Sequence, residues 1–394
     1  PVYVYSSAHF DEQYRDLAEA LTPLSADIFY SVKANSNVSV LRRFRQLGAG
    51  FDIVSGGELL RVIHAGGDPR RVLFSGVGKS EADVDYALKL GIGCFNVESA
   101  GELDRIAARA TLLGCQAPIS IRVNPDVDAH THPYISTGLK ENKFGVPIAQ
   151  ALALYRRANA DPALVVRGID CHIGSQLLDA GPLLQAFESL LSLVDQLGSE
   201  SIRIEHVDLG GGLGVPYDGE DPFDIGGYGA RLAEILGDRP LKLVLEPGRF
   251  LVANGGVLLT RVEYLKPSEA PGHKDFAIVD AAMNDLLRPA LYQARHAIDR
   301  VTPAAAEAHR ARWDIVGPVC ESGDFLGHDR PLELLPGDLL AVGSAGAYGM
   351  VQSSNYNSRG RPPEVLVNGD EFQVIRRRET NAEQLRLERL DTCA

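Results

Sequence analysis

In FYSVKANSN, residues 29 to 37, an apolar run ends on Lys33, which is followed at once by small and polar residues. Most lysines in such a place mark a strand's exit into water, because an ammonium group is rarely buried. The other use is a lysine held in a dry site for covalent chemistry. Further polar residues end apolar runs in the same way: Asp52 with Ser55, Ser75, Glu98, Asn124, His172 with Ser175, the glycines Gly210, Gly211 and Gly212, and Glu246 with Arg249. In DLGGGLG, consecutive glycines let backbone N–H groups close on an anion without Cβ obstruction. Glycine runs more often only make a turn, so their place in the fold must decide. Glu246, ending the run LVLE, needs a cationic or hydrogen-bonding partner, whether Arg249 or a ligand.

The elements that must position these residues alternate along the chain. Eight short β-branched runs read as strands: residues 28 to 33, 50 to 54, 71 to 76, 93 to 98, 118 to 124, 166 to 174, 204 to 210 and 242 to 248. Between them lie amphipathic segments such as AGELDRIAARA and LLQAFESLLSLVDQLG, with apolar residues three and four apart. Eight β-then-α units over about 220 residues match a (β/α)8 barrel, usually roughly 250 residues long. A doubly wound open sheet is the second choice. After residue 265 the pattern changes to shorter β-like pieces separated by Gly, Pro and Asp. The expected architecture is therefore a TIM-type barrel over 25 to 265. A β-sandwich or β-barrel domain takes 266 to 394 together with 1 to 24, whose VYVY is its N-terminal strand.

On a barrel, chemistry sits at the C-terminal strand ends, and the loops after strands seven and eight commonly hold a phosphate. Those two ends carry DLGGGLG and EPGR. A phosphate site opposite a strand-end lysine points to pyridoxal phosphate, with the lysine as its Schiff-base partner. Glu246 then keeps the pyridine nitrogen protonated, and His172 packs flat on the ring. His172 reads equally well as a histidine satisfied at the barrel mouth.

The 394 residues carry a net charge of -13 and are 45% apolar. That charge argues against nucleic acid, and any anionic ligand must be met by local arginines. The five cysteines show no paired spacing, which fits a reducing compartment. No apolar window of about 18 residues and no signal peptide is seen, so a cytoplasmic protein without membrane contact is expected. The chain starts almost inside a strand, so a short natural N-terminus is expected to be missing. Residues 125 to 146 form a loop of about 20 residues, long enough to act as a lid. Within it His130 and His132 lack an evident third ligand, and no metal is expected.

YSVKAN, FDIVSGGEL, THPYISTGLKENKFG, HIGSQ, DLGGGLG, EPGR, LRPALY, CESGD and GAYG occur in one order along nearly the whole chain. In that order they resemble the fold-type III pyridoxal-phosphate-dependent decarboxylases, in the branch acting on meso-2,6-diaminopimelate. The resemblance implies decarboxylation to L-lysine and CO2, the last step of lysine biosynthesis. It implies that Lys33 carries the cofactor, His172 stacks on it and Glu246 pairs with its ring nitrogen. Asp52, Ser175, Gly211, Gly212, Gly248, Arg249 and Tyr348 complete the cofactor site. Arg249, Arg288, Tyr292, Glu321 and Tyr348 bind substrate, with Glu321 reading the distal ammonium, and Cys320 returns the proton after CO2 leaves. It also implies a homodimer with shared active sites. Read without the resemblance, Cys320 is a small packed residue, and Arg288 and Tyr292, four apart, are neighbours on one helical face. Other activities of the fold remain open. One is decarboxylation of ornithine, arginine or carboxynorspermidine, whose diamine ends call for acidic receptors rather than arginines. Another is racemisation, which places an arginine near the ring nitrogen. A third is cofactor binding without turnover, on a barrel alone.

Overall fold

The computed structural model describes residues 1–127, 143–268 and 273–388. Two compact units emerge. One comprises 11–215 and 221–251, the other 1–10, 216–220 and 252–394.

The first unit is a closed parallel barrel of eight strands: Ala26–Ser31, Gly50–Ile53, Val72–Phe74, Cys94–Val97, Ala117–Asn124, Leu164–Asp170, His206–Asp208 and Lys242–Leu245. Leu245 registers with Ile28, so the last strand closes on the first. All eight sequence-predicted strands are present, and most end a few residues sooner than their apolar runs. The missing residues form the turns that carry the polar side chains. Helices Gly56–His64, Glu81–Leu90 and Ala100–Leu113 start on Ser55, Ser80 and Ser99, whose hydroxyls accept from Glu58, Asp83 and Glu102 backbone N–H groups. Glu58 and Glu102 also accept from the backbone N–H of Val54 and Glu98. A serine followed three residues later by an acid thus starts each of these helices, and at Ser55 and Ser99 it turns the strand sharply into its helix.

Inside the barrel, Phe29, Leu73, Cys94 and Val244 form an apolar cluster. Side chains alternate along a strand, so the next inward position lies two residues on. There stand Ser31, Ser75, Asn96 and Glu246, all buried and all polar; Asp52, Ser120, Asp170 and Asp208 are buried likewise. The barrel therefore carries a polar layer between its apolar floor and its mouth.

The second unit is a mixed sheet. Val2–Ser6 runs antiparallel to Gly256–Lys266 and parallel to Glu364–Asn368. Tyr3 and Tyr5 are fully buried, and their hydroxyls donate to the Asp285 carbonyl at 2.6 Å and to Glu364 Oε1 at 2.7 Å. The N-terminal strand thus belongs to the β unit, as expected. The strand Gly256–Lys266, expected with the barrel, pairs instead with Val2–Ser6, Asp275–Val279 and Leu339–Val342. Residues 11 to 24, expected with the β domain, fall in the barrel unit. The Asp11 carboxylate there holds Arg43 on the helix Val38–Leu47. No described helix is long and apolar enough to cross a membrane.

Candidate active site

Lys33 does not end the first barrel strand. It sits in a single 3-10 turn, Val32–Ala34, just beyond it. Its side chain is 37% exposed, and Nζ lies 2.9 Å from Asp52 Oδ2. Asp52 is fully buried and also accepts from Ser31 Oγ at 2.7 Å. The lysine is therefore held at the mouth by a carboxylate rooted in the polar layer, and its side chain stays partly exposed.

Glu246 follows the eighth strand. Its Oε1 lies 3.3 Å from Asn96 Nδ2 and 3.5 Å from Ser75 Oγ, both neutral donors. Burial first, then the carboxylates of Asp208, Asp52 and Asp170, pushes its pKa well above the usual carboxylate range. A buried acid in such a place gains most from a cationic ligand. His172, after the sixth strand, accepts at Nδ1 from the Gly211 N–H at 3.1 Å, so its proton resides on Nε2. Burial, then the positive charges of Arg122 and Lys33, drives its pKa well below the ordinary value, and the ring is neutral.

The glycines after the seventh strand leave no room for side chains. A Cβ on Gly211 would stand 2.4 Å from the Glu246 carbonyl oxygen, and Gly212 has φ +94°, a left-handed conformation. Arg249 Nη2 donates to Ser175 Oγ at 3.0 Å. Gly248 packs on Ser31, just before the turn of Lys33, and on Ala34, its last residue. The structure thus gathers Lys33, Asp52, His172, Ser175, Gly211, Gly212, Glu246, Gly248 and Arg249 at the C-terminal strand ends of the barrel unit.

The other sequence-predicted residues belong to the β unit. Arg288 is buried at the start of the short helix Arg288–Tyr292. Its guanidinium carbon lies 5.1 Å from the Tyr217 ring centroid and 5.6 Å from that of Tyr292, close enough for cation–π contact with both. Cys320 is exposed, not packed, and its backbone N–H donates to Asn357 Oδ1 at 3.1 Å. Glu321 Oε1 accepts from the Tyr356 hydroxyl. Tyr348, Asn357 and Ser358 all have positive φ, near +55°, which is uncommon for non-glycine residues and costs energy that the surrounding structure must supply. The loop residues His130 and His132, and the body of the expected lid, lie outside the described residues.

Four residues that sequence reasoning did not single out complete the barrel mouth: Asn96, Arg122, Asp170 and Asp208. Arg122 donates to Glu98 Oε1 at 3.0 Å and to the His172 carbonyl at 3.4 Å, and its Nε stands 4.0 Å from Asp170. Glu98 Oε2 in turn accepts from the Gly145 N–H at 3.0 Å, anchoring the chain where it returns from the long loop. The available signal was a polar or charged residue interrupting an apolar run.

Residues 7–253 match the family model described as the pyridoxal-binding domain of the pyridoxal-dependent decarboxylases. The chain is 60% identical to a diaminopimelate decarboxylase of Pseudomonas aeruginosa, over 96% of this chain and 90% of that one. It belongs to the diaminopimelate decarboxylase family. A Neisseria meningitidis relative of the same name is 55% identical over 98% of this chain and 94% of its own. The Helicobacter pylori diaminopimelate decarboxylase crystallised with L-lysine superposes with a TM-score of 0.94 at 43% identity, covering 98% of this chain and 96% of that one. The enzyme is therefore a pyridoxal-dependent decarboxylase of the TIM-barrel type. Its barrel mouth fits that cofactor. It offers a partly exposed lysine, glycines at 211 and 212 that keep the strand ends free of side chains, and a buried carboxylate, Glu246, whose hydrogen-bond donors Asn96 and Ser75 are neutral.

Proposed function

We propose that the enzyme removes one carboxylate of meso-2,6-diaminopimelate as CO2 and leaves L-lysine, the last step of lysine biosynthesis. The cofactor reading is carried by one observation, the joint presence at one barrel mouth of the accessible Lys33 and the buried Glu246, hydrogen-bonded by neutral donors. The substrate reading is supported by relatives of that name and by two buried arginines, Arg249 and Arg288, suited to a carboxylate.

Pyridoxal phosphate, when bound, supplies an electron sink for the pair left behind by the departing CO2. Lys33 would carry it covalently, with Asp52 holding the amine in place between turnovers. Glu246 would hold a proton at its ring nitrogen. The neutral His172 would lie flat against the ring without opposing that positive charge. Ser175, Gly211, Gly212, Gly248 and Arg249 would hold the phosphate, with Tyr348 closing the site. Arg249, Arg288 and Tyr292 would fix the distal carboxylate of the substrate and Glu321 its distal ammonium, so that the reacting carboxylate takes one orientation. The thiol of Cys320 would return a proton to the carbon that lost CO2. A cytoplasmic homodimer, with Cys320 and Glu321 given by the partner's β unit, completes the reading.

Incubating the purified enzyme and cofactor with meso-diaminopimelate, ornithine or arginine, and measuring CO2 and product, tests the proposal. CO2 and lysine should come from diaminopimelate alone. Release from ornithine or arginine in its place would overturn the assignment.

A further inference from the structure

Three carboxylates of the barrel mouth have a cation close by, and two others form no ion pair among the described residues. Asp52 has Lys33 at 2.9 Å, Glu98 has Arg122 at 3.0 Å, and Asp170 has the same guanidinium at 4.0 Å. The two without one are Glu246, with its neutral donors, and Asp208, which is fully buried. Asp208 Oδ1 accepts from the Gly210 N–H at 2.8 Å. Its Oδ2 is buried with no donor among the described residues. Yet one oxygen from each of Asp170, Asp208 and Glu246 lies within 4.8 Å of the other two. Acceptors gathered in a buried space lack a proton between them, since like charges so close cannot all ionise. Arg122 favours the charged form of Asp170, and the Lys33 pair favours that of Asp52. The proton then falls to the pair without a cation.

We propose that Asp208 is a neutral carboxylic acid and a positioning residue for Glu246, donating its proton to the Glu246 carboxylate. The inference rests on the proposed role of Glu246 at the ring nitrogen and deepens it. A donor to the ionised form of Glu246 lowers the basicity of that carboxylate, so the shared proton stays on the ring nitrogen instead of returning to Glu246. A neutral neighbour also spares Glu246 a second negative charge in a space that already holds Asp52 and Asp170. Burial, followed by the charge of Asp170, raises the Asp208 pKa well above the carboxylate range, against the Gly210 N–H and the hydrogen bond with the Glu246 side chain, which lower it.

Infrared spectroscopy of the cofactor-free protein reads the proton directly. The measurement belongs about one to two pH units above neutrality, where Asp170, pushed up to about 7, has lost its proton. A carboxylic-acid carbonyl band should be present, should move when aspartate is labelled with 13C, and should vanish in Asp208→Asn. In the cofactor-loaded protein, Asp208→Leu should lower the pH at which the bound cofactor's absorption reports loss of the ring proton, and Asp208→Asn, which keeps a neutral donor, should restore the wild-type titration. Absence of a label-sensitive acid band in the wild type overturns the proposal without any variant. So does a band that survives Asp208→Asn, or an Asn variant that titrates like Leu. If the wild type binds no pyridoxal phosphate, the cofactor reading fails while the band still decides the state of Asp208.

Discussion

Lys33 and Arg288 stand for two kinds of residue that a charge count does not separate. Lys33 is paired with Asp52 and partly exposed; Arg288 is buried with its guanidinium near two tyrosine rings. The first suits a group that must be released to react, the second a fixed fork for a carboxylate. Lys33→Ala should abolish turnover and the borohydride-reducible attachment of the cofactor, while the far-UV circular dichroism is unchanged. A reducible linkage that persists would move the attachment to another lysine. Arg288→Ala should remove a charge-assisted contact worth roughly 1.5 to 3 kcal/mol, or about 10- to 100-fold in kcat/KM. If the loss is equally large for an analogue lacking the distal carboxylate, Arg288 does not read that group.

At the scale of elements, the barrel works because its strands stop early and their last polar residues turn inward or upward. The end of the seventh strand and the end of the eighth approach so closely at Gly211 and Glu246 that a methyl group does not fit: the 2.4 Å contact would be with backbone, which cannot swing aside. Gly211→Ala should therefore cost about 1 to 3 kcal/mol as an overpacked contact. It should also weaken cofactor binding, read as a lower melting temperature of the cofactor-free protein and a higher midpoint in an absorbance titration. A variant equal to wild type in both would show that the two strand ends can part freely.

The strands themselves were legible, because each is an apolar run bounded by glycine, proline or a capping serine. The mouth residues were legible because they end those runs. The polar layer was not. Asn96 in CFNVE or Asp208 in EHVDLG looks like a single interruption, and only barrel closure shows that such residues from different strands share one space. The turn of Lys33 was read as strand because Val32 continues the apolar run, although its backbone has already coiled. The strand Gly256–Lys266 was assigned to the wrong unit because sequence proximity to the eighth barrel strand says nothing of its pairing with Val2–Ser6. Cys320 and Glu321 had no pattern of their own and were found through the resemblance alone.

The whole molecule divides its proposed chemistry between its two units. Lys33, His172 and Glu246 belong to the barrel unit, Cys320 and Glu321 to the β unit. If the partner's β unit serves each barrel, as proposed, two inactive variants can repair one another. Lys33→Ala subunits mixed with Glu321→Ala subunits would form heterodimers in which one site carries both lesions and the other none. With free exchange of equal amounts, half the dimers are mixed and each has one sound site of two, so roughly a quarter of wild-type activity should return if the sites act independently. Subunit exchange can be followed separately with differently tagged chains. A mixture that exchanges and stays as inactive as its parents would mean that Glu321 serves the barrel of its own chain, and the shared-site dimer would have to be given up.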